Sequence, residues 1–103
     1  MRAALLAAFA ACFAMPAHSE LMLKSSDGSQ ELRLYESLCS HAGTLAHIPA
    51  EFRDRFQNAR IMDPKGTIQH YGCHASNEEL VLVVFEDGSR TILELSKFRE
   101  STI

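Results

Sequence analysis

The chain has no tryptophan, and its 103 residues include only three cysteines, three prolines and five glycines. Apolar residues make up 47% of the sequence, which excludes collagen-like proteins and chains too polar to fold. Basic residues are also few, since ten Lys and Arg stand against 13 Asp and Glu, for a formal net charge of −3. A protein that binds nucleic acid without sequence preference needs a basic face, so we expect no nucleic-acid partner. The length allows one domain.

Long apolar runs are also missing, apart from one at the N-terminus. Arg2 precedes an uncharged stretch over residues 3–14. A membrane span needs about 20 apolar residues, so this stretch predicts no permanent span and is typical of the apolar part of a signal peptide. The small residues Ala17 and Ser19 would suit cleavage before Glu20. We therefore predict a protein that is periplasmic or secreted.

Cleavage at that point would divide the chain into a signal peptide, residues 1–19, and a single mature domain, residues 20–103. Cys12 allows a second interpretation, because the segment from Phe9 to Cys12 loosely resembles the sequence at which bacterial lipoproteins are lipid-modified. Phe9 stands where leucine is usual, and the apolar run before Cys12 is short. We favour the cleavable signal peptide, with Cys12 lost in the leader.

Two cysteines, Cys39 and Cys73, remain in the mature chain. An even number of cysteines in a small exported protein predicts a disulfide, and only one pairing exists. Zinc is the alternative, because Cys39, His41, Cys73 and His74 could supply two thiolates and two imidazoles in a tetrahedral set. An oxidising compartment favours the disulfide, and the spacing matches no common zinc module.

The first half of the mature chain predicts a hairpin and one helix. Apolar residues alternate on both sides of an Asp-Gly turn in residues 25–30, which predicts a β-hairpin with one apolar face. That face would carry Leu21, Leu23, Leu32 and Leu34. Residues 49–60 predict the only good helix, with Pro49 at its first position and Phe52, Phe56 and Ala59 on one apolar stripe.

The last third predicts a three-stranded antiparallel meander, with strands near residues 67–75, 79–86 and 90–95. A two-residue turn at Asp87 and Gly88 would pair Val84 with Thr91. One face would then carry Leu80, Leu82, Val84, Leu93 and Leu95, and the other Val81, Val83, Phe85 and Ile92.

Both faces of this meander are apolar and need cover. We expect the helix to cover one face and the N-terminal hairpin the other. The predicted fold is therefore α+β: an N-terminal β-hairpin, one short helix and a C-terminal meander that forms a small twisted sheet or half-barrel closed by one disulfide. A monomer is preferred, and a homodimer through an uncovered face is the alternative.

Sequence motifs of catalysis are missing, since there is no Gly-x-Ser-x-Gly, no Gly-rich phosphate loop and no His-Glu-x-x-His. We predict that the chain is not an enzyme and needs no cofactor, with a small hydrolase as one alternative. A second alternative is a periplasmic zinc or copper protein that uses four histidines. On a strand, His70 and His74 would lie about 13 Å apart, too far to share one ion directly, so we expect these two to be surface or cross-strand residues. The four are His41, His47, His70 and His74.

Four residues are candidates for binding a partner. Arg53 and Arg60 could form a basic flank on the predicted helix and contact an acidic partner. Tyr71 and His74 flank Cys73, so the disulfide would hold an aromatic edge rigid. We therefore predict a binding module whose partner is another envelope or secreted protein, with inhibition of an envelope protein as its specific role.

Five short motifs together resemble a group of small exported proteins of unknown function from proteobacterial genomes, often found in prophage regions. The motifs are Leu-Cys at 38–39, Leu-Ala-His-Ile-Pro at 45–49, Phe-Arg-Asp-Arg-Phe at 52–56, Tyr-Gly-Cys at 71–73 and Val-Val-Phe-Glu-Asp-Gly at 83–88. Members of the group often have an aromatic residue after the second cysteine, where this chain has His74. The resemblance implies a bacterial periplasmic or secreted protein and no particular activity.

Overall fold

A computed structural model describes residues 20–101, so the predicted signal peptide and Cys12 lie outside the described residues. The strands are β1 (Glu20–Lys24), β2 (Glu31–Leu38), β3 (Gln57–Met62), β4 (Ile68–Ser76), β5 (Leu80–Phe85), β6 (Arg90–Glu94) and β7 (Arg99–Ser101). The helices are α1 (Ala42–Leu45) and two 3₁₀ helices, Ala50–Arg55 and Leu95–Lys97. Over this range, no helix has the length and apolar character that a membrane crossing requires.

All seven strands form one antiparallel sheet in the order β6-β5-β4-β3-β2-β1-β7. The outermost strands β6 and β7 are joined by residues 95–98 alone. An extended chain of that length spans about 17 Å, whereas a flat sheet of this many strands is almost 30 Å wide, by an order-of-magnitude estimate. The sheet therefore has to curl, and the predicted half-barrel is confirmed.

The inner face of the half-barrel carries the larger apolar cluster. Residues from the first hairpin and from the C-terminal meander meet there, so the N-terminal hairpin does cover one face of the meander. Phe98, in the connection between β6 and β7, is buried in the same cluster. The buried members are Leu34, Ala59, Val81, Val83 and Phe98, and the partly buried ones Leu21, Leu23, Leu32, Phe85, Leu93 and Leu95.

The outer face is covered by residues 39–56, which connect β2 to β3. Ile48 and Phe56 of this cover pack against Val84 of β5, in a second cluster that also contains Cys39 and Cys73. The predicted disulfide is confirmed: it joins the two cysteines, with Cα atoms 5.6 Å apart, and ties the start of the cover to β4.

The predicted helix over residues 49–60 is wrong in its second half. A 3₁₀ helix ends at Arg55, and the chain then continues as β3, which pairs with β2 on one side and β4 on the other. In a strand, Phe56 and Ala59 point to opposite faces, so Phe56 packs in the outer cluster and Ala59 in the inner one. Phe52 is 42% exposed, so its assignment to the core is also wrong. Pairing with two neighbouring strands stabilises the strand conformation of this segment more than its helical spacing of apolar residues favours a helix.

The meander is present, but its last hairpin has a different register from the predicted one. Val84 pairs with Arg90 and Val81 with Leu93, because three residues rather than two make the turn. Gly88 allows this turn, since its φ of +89° is a conformation that other residues rarely adopt. A shift of one residue moves every side chain of β6 to the other face. Leu93 therefore packs in the inner cluster, and Ile92 lies outside, 64% exposed.

Substitution of the two neighbouring residues by threonine tests this register. Leu93→Thr should reduce the free energy of unfolding by about 2 kcal/mol, because it removes packed apolar volume and buries a hydroxyl. Ile92→Thr keeps a β-branched residue at an exposed position and should change it by less than about 0.5 kcal/mol. Urea unfolding at low micromolar protein concentration measures both. The reverse ranking would support the register of the two-residue turn.

Removal of the disulfide tests how much the covalent link stabilises the domain. The bond joins residues 34 apart, and the chain-entropy description assigns about 4 kcal/mol to a loop of this size. We expect the Cys39→Ala/Cys73→Ala variant to lose most of that free energy of unfolding in urea titrations. Reduced wild-type protein is the matched control and should behave like the variant. A loss below about 1 kcal/mol in both would show that non-covalent packing holds the cover in place.

Candidate functional site

Four flat side chains lie in a row on the outer face of the sheet, and we call them the stacked row: Tyr35, Arg60, Tyr71 and His41. The guanidinium carbon of Arg60 is 4.9 Å from the centroid of the Tyr35 ring and 6.0 Å from that of Tyr71. The ring of His41 stacks on Tyr71, with centroids 4.4 Å apart and planes 5° from parallel. All four are partly exposed, so the row lies at the surface of the protein.

Sheet register and one helix cap bring these residues together. Arg60 of β3 stands directly opposite Tyr71 of β4, and Tyr35 comes from β2 on the other side. His41 is held by α1, because its Nδ1 accepts a hydrogen bond of 3.2 Å from the backbone N–H of Thr44. Thr44 is fully buried, so the imidazole is fixed at the helix N-terminus.

The disulfide restrains the backbone of the same region. Cys39 lies two residues before His41 in the chain, and Cys73 lies two residues after Tyr71. The two halves of the His41–Tyr71 stack therefore belong to segments that are covalently joined. Side chains held in this way lose little conformational entropy when a ligand binds.

Arg60 differs from Arg33, its neighbour across β2 and β3. The guanidinium of Arg33 is 3.0 Å from a carboxylate oxygen of Glu31 and 3.7 Å from one of Glu20, so its charge is balanced within the protein. The guanidinium of Arg60 has no carboxylate within ion-pair distance and donates no hydrogen bond to any atom of residues 20–101. Its guanidinium therefore lies between two rings with its N–H edge available to an external acceptor.

Of the four predicted binding residues, the structure brings Arg60 and Tyr71 together and places the other two elsewhere. Arg53 donates through Nε to the carbonyl oxygen of Ile48, at 2.8 Å, within the cover. The basic flank of Arg53 and Arg60 does not form, because the helix that would have carried both ends before Arg60. Tyr35 and His41 are the members of the stacked row that sequence reasoning missed as binding residues.

His74 lies on the inner side of the sheet, opposite Val83 of β5, and is only 6% exposed, so of the two predicted places it has the cross-strand one. Its Nε2 is 2.9 Å from the carbonyl oxygen of Tyr35, which identifies Nε2 as the protonated nitrogen. Its Nδ1 is buried without a hydrogen-bond partner. Burial lowers the pKa of His74, against the smaller opposite effect of the bond to Tyr35.

The other candidate metal ligands are dispersed. His70 is exposed, with Nδ1 3.4 Å from a carboxylate oxygen of Glu86, and His47 contacts the carbonyl oxygen of the same residue through Nε2. Within residues 20–101, no three His, Cys, Asp or Glu side chains come together in an arrangement that could hold a metal ion. Cys39 and Cys73 are bonded to each other, which removes both thiolates from the alternative zinc set.

Comparisons with known proteins found no family model, no curated protein and no solved structure with significant similarity to this chain. The resemblance to small exported proteobacterial proteins therefore stays a prediction.

Burial of neutral His74 predicts a loss of stability in mild acid. The unfolded chain binds a proton near the ordinary histidine pKa of about 6.5 and the folded protein only at lower pH, so stability falls as pH drops from 7 through that value. The slope from one such group is at most about 1.4 kcal/mol per pH unit. Urea unfolding between about pH 7 and pH 5 measures it. Over this range Asp27 adds nothing, because hydrogen bonds from Ser29 lower its pKa to about 2.

The matched variants are His74→Gln, which retains a donor for Tyr35, and His70→Gln at an exposed position. We expect His74→Gln to flatten the dependence on pH and His70→Gln to preserve it. An unchanged slope in His74→Gln would assign the titration to another group.

Proposed function

We propose that this chain is an exported binding module that recognises a carboxylate on another envelope or secreted protein. The stacked row forms the recognition surface, with Arg60 at its centre. The Cys39–Cys73 disulfide is compatible with an oxidising compartment, which supports a periplasmic or secreted setting.

A single observation carries the proposal: the guanidinium of Arg60 lies over the rings of both Tyr35 and Tyr71 and has no acceptor among the described residues. A free arginine on a surface moves among many rotamers, and binding has to order it. Here the two rings restrict the guanidinium before a partner arrives, so less entropy is lost on binding. The planar N–H edge of a guanidinium matches the two oxygens of a carboxylate.

The composition of the row also fits a protein partner. Tyrosine and arginine are enriched in the centres of protein interfaces, where a few residues supply most of the binding energy. The rings of Tyr35, Tyr71 and His41 would contact apolar surface around the carboxylate and exclude water from it. Exclusion of water strengthens a charged hydrogen bond.

The specific role we propose is inhibition of an envelope protein. This domain is small, it is crosslinked by a disulfide, and its contact residues are ordered before binding. A domain of this kind can occupy a site on a larger protein without first changing its shape. The metal-binding and hydrolase alternatives have no comparable observation among residues 20–101, so a single function is proposed.

Variants of Arg60 test the proposal. Wild-type protein is immobilised in its oxidised form, and partners from a periplasmic extract are identified and titrated for saturable binding. Arg60→Gln should weaken binding of the identified partner at least tenfold, because the charged bond is lost, and Arg60→Lys should weaken it less. Lys65→Gln, at an exposed turn, removes the same charge and should leave affinity unchanged. Equal affinity of the partner for wild type and Arg60→Gln would overturn the assignment.

A further inference from the structure

One end of the sheet is the free edge of β6 (Arg90–Glu94), which pairs only with β5 in the described structure. The backbone N–H of Phe85 donates to Ser89, and that of Leu95 donates to Glu79. Hydrogen-bonded pairs alternate along an antiparallel ladder, so Thr91 and Leu93 also direct their backbone groups towards β5. The N–H and C=O groups of the remaining β6 residues, Arg90, Ile92 and Glu94, therefore point away from the sheet.

The side chains of the same three residues lie together on the outer face and are exposed. Ile92 is 64% exposed and Leu80, the β5 residue that pairs with Glu94, is 42% exposed. Arg90 and Glu94 flank Ile92 with opposite charges, two positions away on each side. The edge has no proline and no shift of register, two of the devices by which proteins protect a free strand.

We propose that this edge pairs with the β6 edge of a second copy of the chain, antiparallel and with a two-fold axis at Ile92. In that arrangement Ile92 stands opposite the partner's Ile92, and Arg90 opposite the partner's Glu94. Every outward N–H and C=O group of Arg90, Ile92 and Glu94 then meets one of opposite kind, because the three are spaced by two residues about the axis. The two sheets become one continuous sheet.

The pattern of charges is what favours a second copy over another protein. The order basic, apolar, acidic is its own complement when the strand is turned end to end, whereas a parallel second copy would oppose like charges. The edge is short, and its area lies below that of stable protein interfaces, about 1,200 Å². We therefore expect a weak dimer that forms at high protein concentration. This interface lies beyond β5 from the stacked row, so it is independent of the proposed function.

Sedimentation equilibrium gives the first test. Protein purified from cells that express the full chain is examined from roughly 10 μM to 1 mM, the range of weak association. We expect a reversible monomer–dimer equilibrium. A monomer throughout this range would overturn the proposal.

Exchange of charges gives the decisive test. Arg90→Glu makes the edge wholly acidic and Glu94→Arg makes it wholly basic, so each variant alone should dimerise at least tenfold more weakly than wild type. A mixture of the two variants should form a heterodimer of about wild-type affinity, because each edge then complements the other. The double variant Arg90→Glu/Glu94→Arg should also regain the homodimer. Failure of both combinations to restore dimerisation would overturn the proposed register.

Ile92→Pro tests the backbone pairing. Proline removes the outward N–H of residue 92 and leaves the ladder with β5 intact, so we expect a folded monomer. Near-ultraviolet circular dichroism verifies folding. A folded Ile92→Pro variant that dimerises like wild type would place the interface elsewhere. The charge exchange does not depend on this variant, so it decides the question even when Ile92→Pro does not fold.

Discussion

The short connection from β6 to β7 is the constraint on which the rest of the structure depends. The residues that join the two ends of the sheet cannot span its flat width, so the strands have to curl until the two ends approach each other. The curl creates an inner face on which leucines from the first hairpin meet valines from the last. Phe98, in the connection itself, is buried in the same inner cluster.

The outer face depends on the disulfide in a similar way. β4 and β5 are buried on both sides, by the inner cluster and by the cover at residues 39–56. Because the cover consists of two short helices and their connections and pairs with no strand of the sheet, its position follows from the bond between Cys39 and Cys73 and from the packing of Ile48 and Phe56. The same bond brings His41 onto Tyr71, so one covalent link stabilises both the core and the proposed recognition surface.

The parts of the fold that follow from local pattern could be predicted from the sequence. The alternation of Leu21 with Leu23 and of Leu32 with Leu34 defines a hairpin with one apolar face, and the cysteine count defines the disulfide. β3 could not be predicted, because the spacing of Phe52 and Phe56 suits a helix. Its strand conformation comes from two partner strands that are distant in sequence. The register of β6 depends on whether Gly88 makes a two-residue or a three-residue turn.

The candidate site was predictable only in part, for the same reason. The sequence presents Arg60 as part of a helix flank and Tyr71 as a neighbour of the disulfide, and neither position predicts their contact. Their contact depends on the register of β3 and β4, and the places of Tyr35 and His41 depend on cross-strand stacking and on the cap of a four-residue helix. Such contacts between distant segments leave no periodic signal in a single sequence.

The pairing of β1 with β7 affects how the chain folds. Leu21 stands opposite Glu100, so this ladder joins positions about 80 residues apart, and the entropy lost in closing so long a loop slows its formation. Phe98, next to β7, packs in the inner cluster with Val81 and Val83, so this cluster is complete only when β7 has docked. Before that step the folding chain exposes apolar side chains, so self-association competes with the docking of β7.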